Sequence, residues 1–140
     1  MAYRLMVEGT HSAELPQESV RSFSPHTETP RTNDGRGVDT GVSMTIAGTI
    51  RSVDENAIVD QTLNLARWAT EYDDAKAYSK VTASTIASGQ VLRNVVYPDA
   101  FVVCYREKFN INSGVGEYEL VVRQKKDLLD AVTTTGGFTD

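Results

Sequence analysis

The sequence is poor in the residues from which reactive sites are usually built: one cysteine and two histidines in 140 residues. A lone thiol, Cys104, excludes an intrachain disulfide and a cysteine-built zinc cage. His11 and His26 lie in separate polar segments, neither at helical spacing from a second ligand, so both read as surface residues. Long hydrophobic runs are also absent. No segment approaches the roughly 20 apolar residues of a membrane span, and Met1 to Glu8 lacks the apolar core of a signal peptide. The expectation is a chain made and folded in the cytoplasm that leaves the cell, if at all, by a route other than an N-terminal signal. Basic clusters are missing too: 14 Lys and Arg stand against 19 Asp and Glu, a net charge of −5, which argues against nucleic acid as a partner.

What is present suffices for one core. At 40% hydrophobic and 24% charged, the chain has the composition of a folded domain, and its length is that of a single one spanning 1–140. Period-two alternation dominates. Val42, Met44, Ile46, Gly48 and Ile50 interleave with Ser43, Thr45, Ala47 and Thr49, the pattern of a strand with one buried face. Tyr3, Leu5 and Val7 alternate in the same way, a weaker strand follows near 20–23, and three more are expected at 80–86, 90–97 and 100–109. Ser88-Gly89 and Pro98-Asp99 punctuate that meander. A last strand over 117–123 places Tyr118, Leu120 and Val122 on one face.

One segment changes period. From about 54 to 72, Ile58, Thr62, Leu65, Ala69 and Tyr72 recur every three or four residues behind a Ser52–Glu55 capping box, the signature of an amphipathic helix anchored by Leu65 and Trp68. A short helix at 126–132 is followed by a Thr- and Gly-rich tail, about 133–140, expected to fray. The stretch from about 24 to 41 is too polar for a core and too long for a turn, so it is expected to form an extended arm. The fold class expected is mainly β: a small antiparallel β-barrel with one flanking helix and this long inter-strand arm.

No reactive constellation emerges. No serine sits in a strand-to-helix elbow, Cys104 falls within a strand and reads as a small core residue, and Glu71, Asp73 and Asp74 read as a solvated helix end. The glycine loops at 33–37 and 113–116 lack the Lys-Ser/Thr pair of a phosphate loop. Catalytic, metal and cofactor sites are therefore expected to be none. Sheet edges and the arm remain, and an edge exposes backbone groups that a second copy of the chain can satisfy.

Three stretches carry a family likeness: Thr32-Asn33-Asp34-Gly35-Arg36-Gly37 with Gly41-Val42-Ser43-Met44-Thr45-Ile46, Leu65-Ala66-Arg67-Trp68, and Pro98 through Phe109. With these, the order of elements from about residue 2 to 125 resembles the tube proteins of contractile injection systems: the Hcp family of type VI secretion and its relatives in phage tails and extracellular injection particles. The resemblance implies a structural, non-enzymatic subunit. Six copies would close a ring, rings would stack into a hollow tube, and a contracting sheath would drive it. Implied partners are further copies, a sheath protein, baseplate or spike and tube-terminator proteins, and a payload in the lumen. It further implies inter-ring contacts through the arm, with Arg31, Asn33, Asp34, Gly35 and Arg36 as candidates. Pairing within a ring would use strand edges, for which Tyr3, Leu5 and Val7 with Tyr118, Leu120 and Val122 are candidates. The rival reading is a monomeric β-barrel module that grips a partner with the arm.

Overall fold

The computed structural model describes residues 1–29, 40–51, 61–110, 112 and 114–137. Eight strands are present: β1 (Ala2–Glu8), β2 (Ala13–Leu15), β3 (Ser22–Glu28), β4 (Gly41–Arg51), β5 (Ser79–Ala87), β6 (Gln90–Phe109), β7 (Val115–Gln124) and β8 (Thr133–Gly136). One helix, α1 (Thr62–Ala69), and a short 3-10 helix (Lys126–Ala131) complete the described chain. All pairings are antiparallel, and the strands follow one another as β2-β1-β5-β6-β7-β4-β3, with β8 added to β6.

This path is open, so the expected barrel is a curled sheet instead of a hydrogen-bonded cylinder. β2 and β3 lie at opposite ends of the path yet follow each other in the chain, joined by residues 16–21. So short a link forces the ends together, and the rings of Tyr3 on β1 and Phe23 on β3 meet at 6.2 Å. Closure stops there because the link itself lies against β4: Arg21 N–H donates to the Ala47 carbonyl and Thr49 N–H to that of Ser19. Gly48 is required at this crossing, since a Cβ would drive into the Ser19 carbonyl.

The alternating residues build one core. Leu5, Val7 and Leu15 meet Met44, Ile46, Val81, Tyr97, Leu120 and Val122, all 2% exposed or less. Leu65 and Trp68 of α1 join this cluster, and the Trp68 indole N–H donates to the Ala77 carbonyl at 2.7 Å. The helix stops at Ala69, short of the expected Tyr72, which is 94% exposed. Its C-terminal turn is closed when Glu71 N–H bonds the Trp68 carbonyl. The expected start at 54 and the Ser52–Glu55 cap lie outside the described residues.

Two expected breaks are absent. Pro98-Asp99 does not separate two strands: β6 runs through it for 20 residues. The reason lies in Gln124, 1% exposed, whose Oε1 accepts from Asp99 N–H at 3.0 Å while its Nε2 donates to the Leu128 carbonyl. With the Asp99 carbonyl also accepting from Lys125 N–H, the corner leaves few polar groups wanting, and the strand changes neighbours without ending. The tail does not fray from 133 either. Thr133–Gly136 pairs with Val96–Arg93, where β-branched threonines suit an extended strand and cap an edge of β6. Gly136, at φ +127°, lies so close to the Leu92 carbonyl that no side chain fits.

The arm also begins later than expected. Ser22–Glu28 pairs along its whole length with Thr27's partner Val42 and its neighbours, from Gly41 to Ala47. Polar side chains hid this strand, because an edge strand needs few buried residues, and Pro25 is tolerated on an edge.

Candidate assembly surface

Strand edges can be read directly from the pairing. β1 lies between β2 and β5, with Leu5 and Val7 each 1% exposed and Tyr3 half-buried against the core. β7 lies between β4 and β6, so Tyr118, Leu120 and Val122 point into the core of an interior strand and are not available as an edge. The alternation located their buried face correctly, but burial of one face says nothing about which strands flank it. Arg31, Asn33, Asp34, Gly35 and Arg36 lie outside the described residues. The segment containing them leaves and re-enters at neighbouring points, where the hydroxyls of Thr29 and Thr40 are hydrogen-bonded at 2.9 Å.

Two long edges were not anticipated. β3 pairs with β4 alone, and β6 from Phe101 to Phe109 pairs with β7 alone among the described strands. The other half of β6 is flanked by β5 and β8. Val103 and Phe109 are 45% and 65% exposed, while in the first half Val95, Tyr97 and Ala100 are buried and Val91, beyond the reach of β8, is 45% exposed. Cys104, expected in the core, is exposed. A bulge between Val102 and Cys104 shifts the register, so Val102 faces Val122 while Cys104 faces Val121 and points outward. No periodicity count anticipates that slip.

The outward face of β3, β4, β7 and the second half of β6 is polar in both directions. Across it run the rows Ser24, Thr45, Val121, Cys104 and Ser22, Ala47, Glu119, Arg106. Arg106 pairs with Glu119 at 3.2 Å and Arg21 with Glu117 at 3.3 Å, exposed bridges that add little stability but neutralise each other locally. At one end of this layer a cleft of about 320 Å³ opens between His26, Ser43, Arg123 and Lys126. Its buried amide, Gln124, is already committed to the β6 corner.

The buried phenols serve the framework. Burial pushes Tyr97 up to about 12 and Tyr118 higher still, keeping both neutral as donors to the carbonyls of Ser43 and Ser19. His11 and Glu71, 60 residues apart in sequence, meet at 2.9 Å, and Asn64 donates to the Ser12 carbonyl beside them. The hydrogen bond from His11 holds the Glu71 carboxyl below its usual range. These contacts clamp the β1–β2 turn onto α1, which nothing in either local sequence signals. Among the described residues, no three His, Cys, Asp or Glu side chains gather closely enough to hold a metal ion, and no helix is long and apolar enough to cross a membrane.

No protein-family model matches the chain, and no curated protein does. Solved structures do match along nearly its full length. A chain in the cryo-EM structure of the anti-feeding prophage baseplate, symmetrised six-fold, has a TM-score of 0.55 at 10% identity, covering 99% of this chain and 95% of that one. A chain in the sheath-tube complex of an extracellular contractile injection system, PVC, in its extended state gives 0.53 at 13% identity, covering 95% and 88%. The Hcp1 protein of E. coli EAEC 042 gives 0.52 at 12% identity, covering 99% and 100%. The chain therefore has the fold seen in tube components of contractile injection systems.

Proposed function

We propose that the chain is a structural tube subunit: copies close into rings of six, and rings stack into a hollow tube that a contracting sheath propels. The observation that carries this reading is agreement of fold over essentially the whole of both chains, with 99% of this chain matched to all of Hcp1. The edges left by the fold are consistent with it, since a ring and a stack each need a contact that advances from copy to copy. In this role the protein performs no chemical step. Many weak contacts, repeated around the ring and along the axis, sum to a rigid conduit. Sheath, baseplate or spike and terminator proteins are its further partners, with a payload in the lumen, and Arg31, Asn33, Asp34, Gly35 and Arg36 make contacts between rings.

Negative-stain electron microscopy of purified protein tests the reading. Hollow rings or tubes are expected, and a strictly monomeric species at high concentration in sedimentation overturns it. Deleting residues 32–37 is expected to abolish stacking while the β-sheet signal in circular dichroism is retained.

A further inference from the structure

The cleft at the end of the polar layer gathers positive charge that the chain itself leaves unused. We propose that it binds the phosphate group of a small phosphate monoester, with Arg123, Lys126 and Ser43 donating to the phosphate oxygens and Leu129 lying against the organic part. One chain builds this site, so it does not depend on assembly.

Arginines at this layer fall into two kinds. Arg21 and Arg106 each pair with a carboxylate on it, Glu117 and Glu119. Arg123 is exposed and has no ion pair among the described residues, in a chain where Asp and Glu outnumber Lys and Arg by 19 to 14. Lys126 brings a second cation to the same cleft. The carboxylate that lines it, Glu28, is bonded to Nε2 of His26 at 3.3 Å.

The placement of the donors selects the anion. Ser43 and Arg123 stand opposite each other on β4 and β7, and Lys126 opens the 3-10 helix that follows β7. The Ser43 hydroxyl makes no hydrogen bond to another described residue. A carboxylate offers two oxygens in one plane. A phosphate monoester offers three on a tetrahedron and carries roughly two negative charges near neutral pH, which suits donors on three separate elements. The guanidinium fork matches two of those oxygens, and the hydroxyl and ammonium serve the third.

The frame around the cleft is already fixed. The Ser43 carbonyl accepts from the Tyr97 hydroxyl at 2.8 Å, and Gln124 bridges Asp99 N–H and the Leu128 carbonyl. The hydroxyls of Thr29 and Thr40 close a further side. Little ordering therefore opposes binding. At about 320 Å³ the cleft falls at the lower end of the roughly 300–1,000 Å³ of small-molecule sites. A bare phosphate leaves most of that space empty, and half-buried Leu129 offers an apolar wall to an organic part.

Calorimetric titration of the full chain with adenosine monophosphate, glycerol 3-phosphate, inorganic phosphate and adenosine tests the site. At least one ester is expected to bind once per chain and more tightly than inorganic phosphate, while adenosine gives no heat. Arg123→Gln is expected to weaken that ester about tenfold or more, and Arg123→Lys to weaken it less. Glu28→Gln is expected to tighten it, since a carboxylate facing the anion is removed. Both positions are exposed, and circular dichroism checks that each variant keeps its fold. Failure of both esters to bind, or equal affinity in Arg123→Gln, overturns the site. Inorganic phosphate bound as tightly as either ester means an adventitious ion only and overturns the assignment to an ester. Tubes that form without binding overturn the cleft alone, whereas binding by a chain that stays monomeric overturns the tube reading alone.

Discussion

The two halves of β6 are one strand in two situations. From Gln90 to Ala100 it pairs with β5, with β8 on Arg93 to Val96, and it buries Val95, Tyr97 and Ala100 while Val91 stays 45% exposed. From Phe101 to Phe109 it has β7 on one side, a bulge in its middle, and Val103 and Phe109 largely exposed. Among the described strands, β5 and β8 flank part of the first half, whereas the second has β7 alone beside it. Valine content does not separate the halves, with three valines in the first and two in the second. Neighbours do.

Substitutions that break this contrast rank by how much core they disturb. Trp68→Ala removes a helix anchor from the common core and is expected to cost about 3–5 kcal/mol in denaturant unfolding, enough to erase the difference between the halves. Gln124→Leu leaves Asp99 N–H and the Leu128 carbonyl without their partner at the corner where β6 changes neighbours. A loss of about 2 kcal/mol in thermal unfolding is expected; an unchanged melting temperature would mean the corner does not depend on Gln124. Gly136→Val cannot fit beside the Leu92 carbonyl and is expected to strip β8 from β6 at about 1–3 kcal/mol. Hydrogen exchange at Asn94 to Val96 then reports whether the first half has become as open as the second.

Two smaller effects sharpen the contrast. Tyr97→Phe deletes the bond to the Ser43 carbonyl, worth about 1 kcal/mol at neutral pH. The phenol's folded pKa is raised to about 12 from 10.0. Its contribution is therefore complete below pH 10 and lost as pH rises toward 12, because the unfolded chain releases the proton first. The variant is expected to show a flatter stability–pH curve in that window. Val103→Lys with Phe109→Lys changes stability by no more than about 0.5 kcal/mol, since both residues are exposed. Ring formation, read by sedimentation, is nevertheless expected to fail. A pair that unfolds the monomer instead would show that the second half is core.

The alternating residues of β1, β4, β5 and β7 were legible because a buried face imposes period two on any strand that carries it. Leu65 and Trp68 were legible for the corresponding helical reason. β2 and β8 were not, being only three and four residues long. β3 was legible only in part, its polar residues resembling a loop. The sequence also pointed to assembly through edges but assigned β1 and β7 to them, strands that pair with β2 and β5 and with β4 and β6. Tyr118, Leu120 and Val122 carry the same alternation whether β7 ends a sheet or lies within it.

By itself, then, the order of apolar and polar residues determined which side chains would be withdrawn from water, because that choice is made residue by residue within a strand or a helix turn. Tertiary structure alone decided which strands became neighbours, that β6 would run through Pro98, that Cys104 would face outward and that β3 would have β4 alone beside it among the described strands. Each of those depends on hydrogen bonds between backbone groups far apart in the chain, and backbone groups are chemically alike at nearly every position.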